Sequence, residues 1–160
     1  MLRRRNLVFG AIGMVVAGFL VMQIIPIGRI YPAAERKPDP PVAVTIEWKS
    51  PETEHMVRAA CYDCHSNETA YPWYANIAPV SWLVSRDINN GRAAMNFSED
   101  APTEYNISDL EWHLLNNMPP KIYVVMHPEA VLTEDQKALL LAGFKETLVE
   151  ASDHGMDMSG

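Results

Sequence analysis

Two cysteines stand three positions apart and a histidine follows the second, in the run Cys61, Tyr62, Asp63, Cys64, His65. No other cysteine occurs in the 160 residues, so all thiol chemistry is concentrated at this point. A framework of several disulfides is excluded by the count, and a single bridge closing so short a loop would stabilise little. C-x-x-C-H is the attachment sequence of c-type haem. Two thiols at this spacing add to the two vinyl groups on neighbouring edges of one porphyrin, and the histidine that follows is placed under the iron. A thioredoxin-like redox pair needs a βαβ setting, whereas the flanks here read as helical. A structural zinc site usually takes four ligands in two paired clusters, and the chain has no second pair.

The motif assigns Cys61 and Cys64 to covalent haem c, one per chain, and His65 to the proximal iron position. A six-coordinate iron needs a distal partner, which in cytochromes c is typically methionine. Met1, Met14 and Met22 fall in an apolar N-terminal run, and Met156, Met158 and His154 in a polar tail. Met56 and His55 lie in the segment that leads into Cys61, on the proximal side by sequence. Met95, Met118, Met126, His113 and His127 remain. Met118 directly precedes Pro119 and Pro120, whose fixed φ angles stiffen the loop that would press sulfur onto iron. It is the first candidate, with packing as its bland alternative. His127 is the second, and an open distal position stays possible. His113, beside Trp112 in an amphipathic segment, reads as a surface or hydrogen-bonding residue. Tyr71, Trp73, Tyr74, Trp82 and Phe97 concentrate after the motif, where core packing is their default role. Tyr71, Trp73 and Arg92 are candidates to donate to haem propionates.

Helices must position these groups. Ser50 can cap a helix, Pro51 suits its first position, and Glu52 and Glu54 fall in the turn where the dipole favours them, predicting a helix to about Ala60. A second is expected over Pro79 to Asn90, with Val80, Leu83, Val84 and Ile88 on one face and Gly91 as the stop. Ser108 with Glu111 reads as a capping box for a third, ending near Asn117 before the two prolines. Thr133 with Gln136 opens a fourth, carrying the stripe Leu140, Phe144 and Leu148. No alternating strand pattern competes.

The chain opens with Arg3, Arg4 and Arg5, followed by 19 uncharged, mainly apolar residues from Leu7 to Ile25. At 1.5 Å per residue such a helix just spans a hydrocarbon core of about 30 Å, and the arginines assign its start to the cytoplasmic side. A cleaved signal would have a shorter apolar region and a small-x-small site, so residues 1–25 are expected to be an uncleaved membrane anchor. Pro26, Pro32, Pro38, Pro40 and Pro41 make residues 26–49 a Pro-rich linker in this reading. Residues 50–150 form the haem domain and residues 151–160 a flexible tail. Residues 50–160 hold six basic and seventeen acidic side chains, a net −11. A domain of that sign repels nucleic acid and favours a redox protein with a basic docking surface.

The segments CYDCHSNETAYPWYANIAPVSWLV, MNFS, MPPKIY and HPEAVLT, in that order, resemble the bacterial haem-binding domain family of small exported cytochromes. The resemblance covers roughly residues 50–150. It implies a mostly helical haem-wrapping domain and electron transfer, and Met-Pro-Pro loops that recur among cytochromes c as ligand loops support Met118. The fold expected is all-α, a small cytochrome c-like domain wrapped round one haem after a single transmembrane helix. The function expected is one-electron transfer on the periplasmic or other extracytoplasmic side of the inner membrane, by a carrier more than an enzyme. A haem-based gas sensor or peroxidase with an open distal site, or a haem subunit of a larger membrane redox complex, stand as alternatives.

Overall fold

Among the residues that the computed structural model describes, 2–100 and 105–149, there is no strand. The architecture is all-α. In chain order the helices are α1 (Leu2–Gln23), α2 (Ile27–Ile30), α3 (Pro51–Ala60), α4 (Tyr62–His65), α5 (Val80–Ala94), α6 (Ile107–Asn116), α7 (Lys121–Met126) and α8 (Glu134–Phe144). Short 3₁₀ turns at Pro32–Ala34, Trp73–Asn76 and Pro128–Ala130 connect them. The expected tail, 151–160, lies outside the described residues.

The described residues divide into two compact units, one of 2–38 and 71–89, the other of 39–70, 90–100 and 105–149. In the first, α1 presents apolar side chains all round, Met14 at 76% exposure and Val15 at 73% among them. Its 20-residue stretch Arg4–Gln23 is apolar enough to cross a membrane, and none of it is buried by the rest of the chain. A helix that is hydrophobic on every side needs an apolar environment of its own. After it the chain does not run free. The Gln23 side chain donates to the Ala78 carbonyl and accepts from the Ala78 amide, both at 3.0 Å. Asn89 donates to the carbonyls of Ala33 and Glu35, and Arg36 donates to Asn76 while lying over the Tyr71 ring.

The second unit is built round Phe97, 1% exposed. Tyr62 and Phe144 stack on this ring, and Trp48 and Tyr105 meet it edge-on, at centroid distances of 5.5 to 6.2 Å. Val57, Leu114, Leu140 and Leu148 complete the core. Thr133 and Gln136 form the expected capping box of α8, and the expected stripe is buried, Leu140 and Phe144 on α8 and Leu148 in the π-helical turn Lys145–Val149 that continues it. Gly143 lets α8 lie directly on Thr53 of α3, since a Cβ there would overlap the threonine side chain.

Three expectations give way to the packing. Gly91 does not stop α5, which runs to Ala94, because its missing side chain is used for a close approach to Cys64. The cap of α6 is Asn106, whose side chain accepts from the Ser108 and Asp109 amides, and Ser108 lies inside the first turn. Residues 43–48, assigned above to the linker, are part of the second unit. The Ala43 and Val44 amides donate to the Ser98 carbonyl at 2.8 and 2.9 Å, Ile46 is buried, and Trp48 packs on the core. Proline density argues against regular structure only where the prolines are, and the stretch from Val42 to Trp48 has none.

Candidate functional site

Helix α3 delivers Cys61 to the core and ends there. The Cys61 amide closes α3 on the Val57 carbonyl, and the Cys61 carbonyl then accepts from both Cys64 (3.1 Å) and His65 (2.9 Å). Cys61, Cys64 and His65 therefore share one turn at i, i+3 and i+4, the spacing that puts side chains on one face. The thiols are not bonded to each other.

The two intervening residues fix this turn. Tyr62 is buried, stacked on Phe97 and covered by the Arg58 guanidinium at 4.5 Å. Asp63 accepts from the Ala70 amide through Oδ1 and from the Tyr123 hydroxyl through Oδ2, at 3.0 and 2.8 Å. Behind the turn, Ser66 Oγ donates to the Tyr62 carbonyl.

The His65 ring lies against the last turn of α5. Its Nδ1 is 3.1 Å from the Met95 carbonyl oxygen. A carbonyl only accepts, so Nδ1 carries the proton and Nε2 is left with its lone pair. This is the tautomer a metal-binding histidine adopts, with its other nitrogen held by an outer partner. Burial lowers the proton affinity of His65 below the ordinary histidine value, partly offset by hydrogen bonding to the Met95 and Gly91 backbone. The ring is thus neutral at physiological pH. Burial, and then the neighbouring Cys64, push the Cys61 thiol up to about 12, so it stays a thiol rather than a reactive thiolate.

Beside His65 lies a cavity of about 440 Å³, walled by Cys61, His65, Met95, Leu110, His113, Leu114, Met118 and Phe144 among others. Its size falls in the range of about 300 to 1,000 Å³ typical of cofactor sites, and apolar side chains make most of its wall. Met118, at 37% exposure, is brought to the same cavity as Cys61 and His65. His127 is not among its lining residues: its ring stacks on Tyr123 at 4.2 Å and its Nδ1 is 3.0 Å from Glu129. Arg92 is not a lining residue either. It is spent on structure, donating to the Ser66 carbonyl, to Thr69 and to Asp39 at 2.6 to 2.8 Å. Tyr71 and Trp73 belong to the first unit, where Tyr71 carries Arg36 and Trp73 meets Tyr74 edge-on. Conversely, His113 and Met95 line the cavity although neither was favoured from sequence. His113 is also close enough to His65 to lower its proton affinity.

A family model described as a haem-binding domain matches residues 17–146. The chain belongs to the haem-binding domain family. The match begins inside α1 and so takes in residues 26–49 as well as the domain after Ser50. Searches among curated proteins and among solved structures gave no match. The site suits the family's cofactor: a neutral histidine with its outer nitrogen held, a cavity of cofactor size, and an apolar wall that would cover a porphyrin. The haem-binding domain is thereby a haem protein, all-helical, with an apolar N-terminal helix.

Proposed function

We propose that this haem-binding domain is a membrane-anchored c-type cytochrome that carries single electrons outside the cytoplasm. The observation that carries the reading is His65 in the wall of an apolar cavity, one turn from Cys61, with its Nδ1 proton given to Met95. Cys61 and Cys64 would hold one haem through thioether bonds, and His65 would bind its iron through Nε2. The bound haem supplies the one-electron chemistry, while the protein sets its potential through ligands and burial. Met118, on the same cavity, would hold the iron as a second ligand, a pairing that suits an electron carrier. The Met95 carbonyl orients the His65 ring and raises its donor strength. Phe144, Leu110 and Leu114 give the site its apolar wall.

Helix α1 supplies the anchor. Its length and its exposed apolar surface support a bilayer span, and Arg3, Arg4 and Arg5 hold its start in the cytoplasm, leaving the haem unit outside. The −11 charge of residues 50–160 suits a basic redox partner.

His113 favours a second reading of the distal position, because it lines the same cavity. Spectra of reduced full-length protein in detergent decide between them, recorded with and without carbon monoxide. The wild type is expected to resist carbon monoxide. Met118→Ala is expected to bind it readily, while His113→Ala behaves as wild type. The opposite pattern assigns the ligand to His113, and ready binding by the wild type means an open, sensor-like or peroxidase-like site.

A further inference from the structure

Asp63 occupies a position of C-x-x-C-H that haem attachment leaves open, yet its side chain is fully employed. Oδ1 accepts from the Ala70 amide, and the Asp63 carbonyl accepts from the Thr69 hydroxyl. That leaves Oδ2, which takes the Tyr123 hydroxyl at 2.8 Å across 60 residues of sequence. Tyr123 stands on α7, five residues after Met118 and just beyond Pro119 and Pro120. At the near end of this segment the Asn117 and Met118 amides both donate to the His113 carbonyl at 2.8 Å. The loop bearing Met118 is thus tied to the end of α6 on one side and to the cysteine turn on the other. The Tyr123 ring is backed by His127, parallel within 10° at 4.2 Å, and His127 is held in turn by Glu129. A ring so braced has its hydroxyl aimed before the bond forms.

We infer that the Tyr123–Asp63 hydrogen bond is the clasp that holds the Met118 loop against the Cys61–His65 turn, making Tyr123 and Asp63 positioning residues for Met118. The inference rests on Met118 as the distal ligand. A charge-assisted bond between loop and turn shortens the excursions of the loop, so Met118 returns to the iron before another ligand enters. Without it, the loop keeps its two stiff prolines but loses the Asp63 carboxylate as a hold on α7.

The test uses the full-length, haem-loaded chain in detergent and follows the rate of carbon monoxide binding to the reduced protein. Tyr123→Phe keeps the ring and its stack on His127 but removes the hydroxyl. It is expected to raise that rate about tenfold, the scale of one charge-assisted hydrogen bond, and to lower the midpoint potential. Asp63→Ala should do the same, Asp63→Asn less because its amide oxygen still accepts, and the double variant Tyr123→Phe/Asp63→Ala no more than either alone. Thr133→Ala, which removes the α8 cap far from the clasp in sequence, controls for general loosening and should leave the rate unchanged. A wild-type rate in Tyr123→Phe, with Met118→Ala still opening the iron, overturns the clasp and leaves the ligand assignment standing. An equal rise in Thr133→Ala also overturns it. A Met118→Ala protein with an unchanged spectrum removes the ligand assignment and the clasp together.

Discussion

Gly91 faces the backbone of Cys64: a Cβ added at Gly91 would run into the Cys64 carbonyl oxygen, with the carbonyl carbon and Cys64 Cβ only slightly farther away. The obstacle is backbone, inside the Cys61–His65 turn, and cannot swing aside. Alanine in a helix interior ordinarily gains about 0.8 to 1 kcal/mol over glycine, and Gly91 is interior to α5. Gly91→Ala is nevertheless expected to destabilise the protein and to lower the yield of attached haem. Thermal unfolding and haem content per chain check this, and a stabilised, fully loaded Gly91→Ala protein would show that the contact is slack.

Arg92 distinguishes a structural role from a haem-edge role. Its guanidinium is the donor to the carbonyl of Ser66, a fully buried residue, and removal leaves that carbonyl short of a partner at a cost of about 1 to 3 kcal/mol. Arg92→Gln is expected to lower the unfolding midpoint while the haem spectrum and potential stay as in the wild type. A shifted potential at unchanged stability would instead place Arg92 at the propionates.

Ile46 tests whether residues 43–48 belong to the core. Substitutions in an exposed spacer fall within about 0.5 kcal/mol of neutral, whereas isoleucine to alanine in a core costs about 2 to 5 kcal/mol. Ile46 is 6% exposed, so Ile46→Ala is expected in the second range by denaturant unfolding.

What local chemistry writes into consecutive residues was legible. Ser50, Pro51 and Glu52 marked the start of α3, and Thr133 with Gln136 the start of α8, because caps act within one turn. The C-x-x-C-H turn was legible for the same reason. The role of Gly91 was not, since glycine at a helix end and glycine at a backbone contact look alike until the contacting chain is known. Ser108 was expected as the cap that Asn106 in fact supplies, because either side chain can accept and the choice depends on where the chain enters the helix. Helix α7 has six residues and no polar cap, too short for a periodic signal. The placing of His113 at the cavity, of His127 against Tyr123, and of Tyr123 on Asp63 are long-range outcomes of packing that no spacing rule encodes.

The net −11 of residues 50–160 gives the proposed basic redox partner a kinetic signature. Encounter with a basic redox partner is steered by opposite charge and screened by salt, so the second-order rate of reduction or oxidation should fall as ionic strength rises. A rate independent of salt in stopped-flow mixing would mean that docking is apolar.

The claim on which the rest depends is covalent attachment at Cys61 and Cys64, and the mass of the denatured chain tests it most directly. Thioether bonds survive denaturation and organic extraction, whereas a haem held only by His65 and packing is released. Wild-type protein matured outside the cytoplasm is expected to carry the mass of one haem after that treatment, and Cys61→Ala/Cys64→Ala none. A wild-type chain at bare polypeptide mass, or a double variant that keeps its haem, would contradict the account.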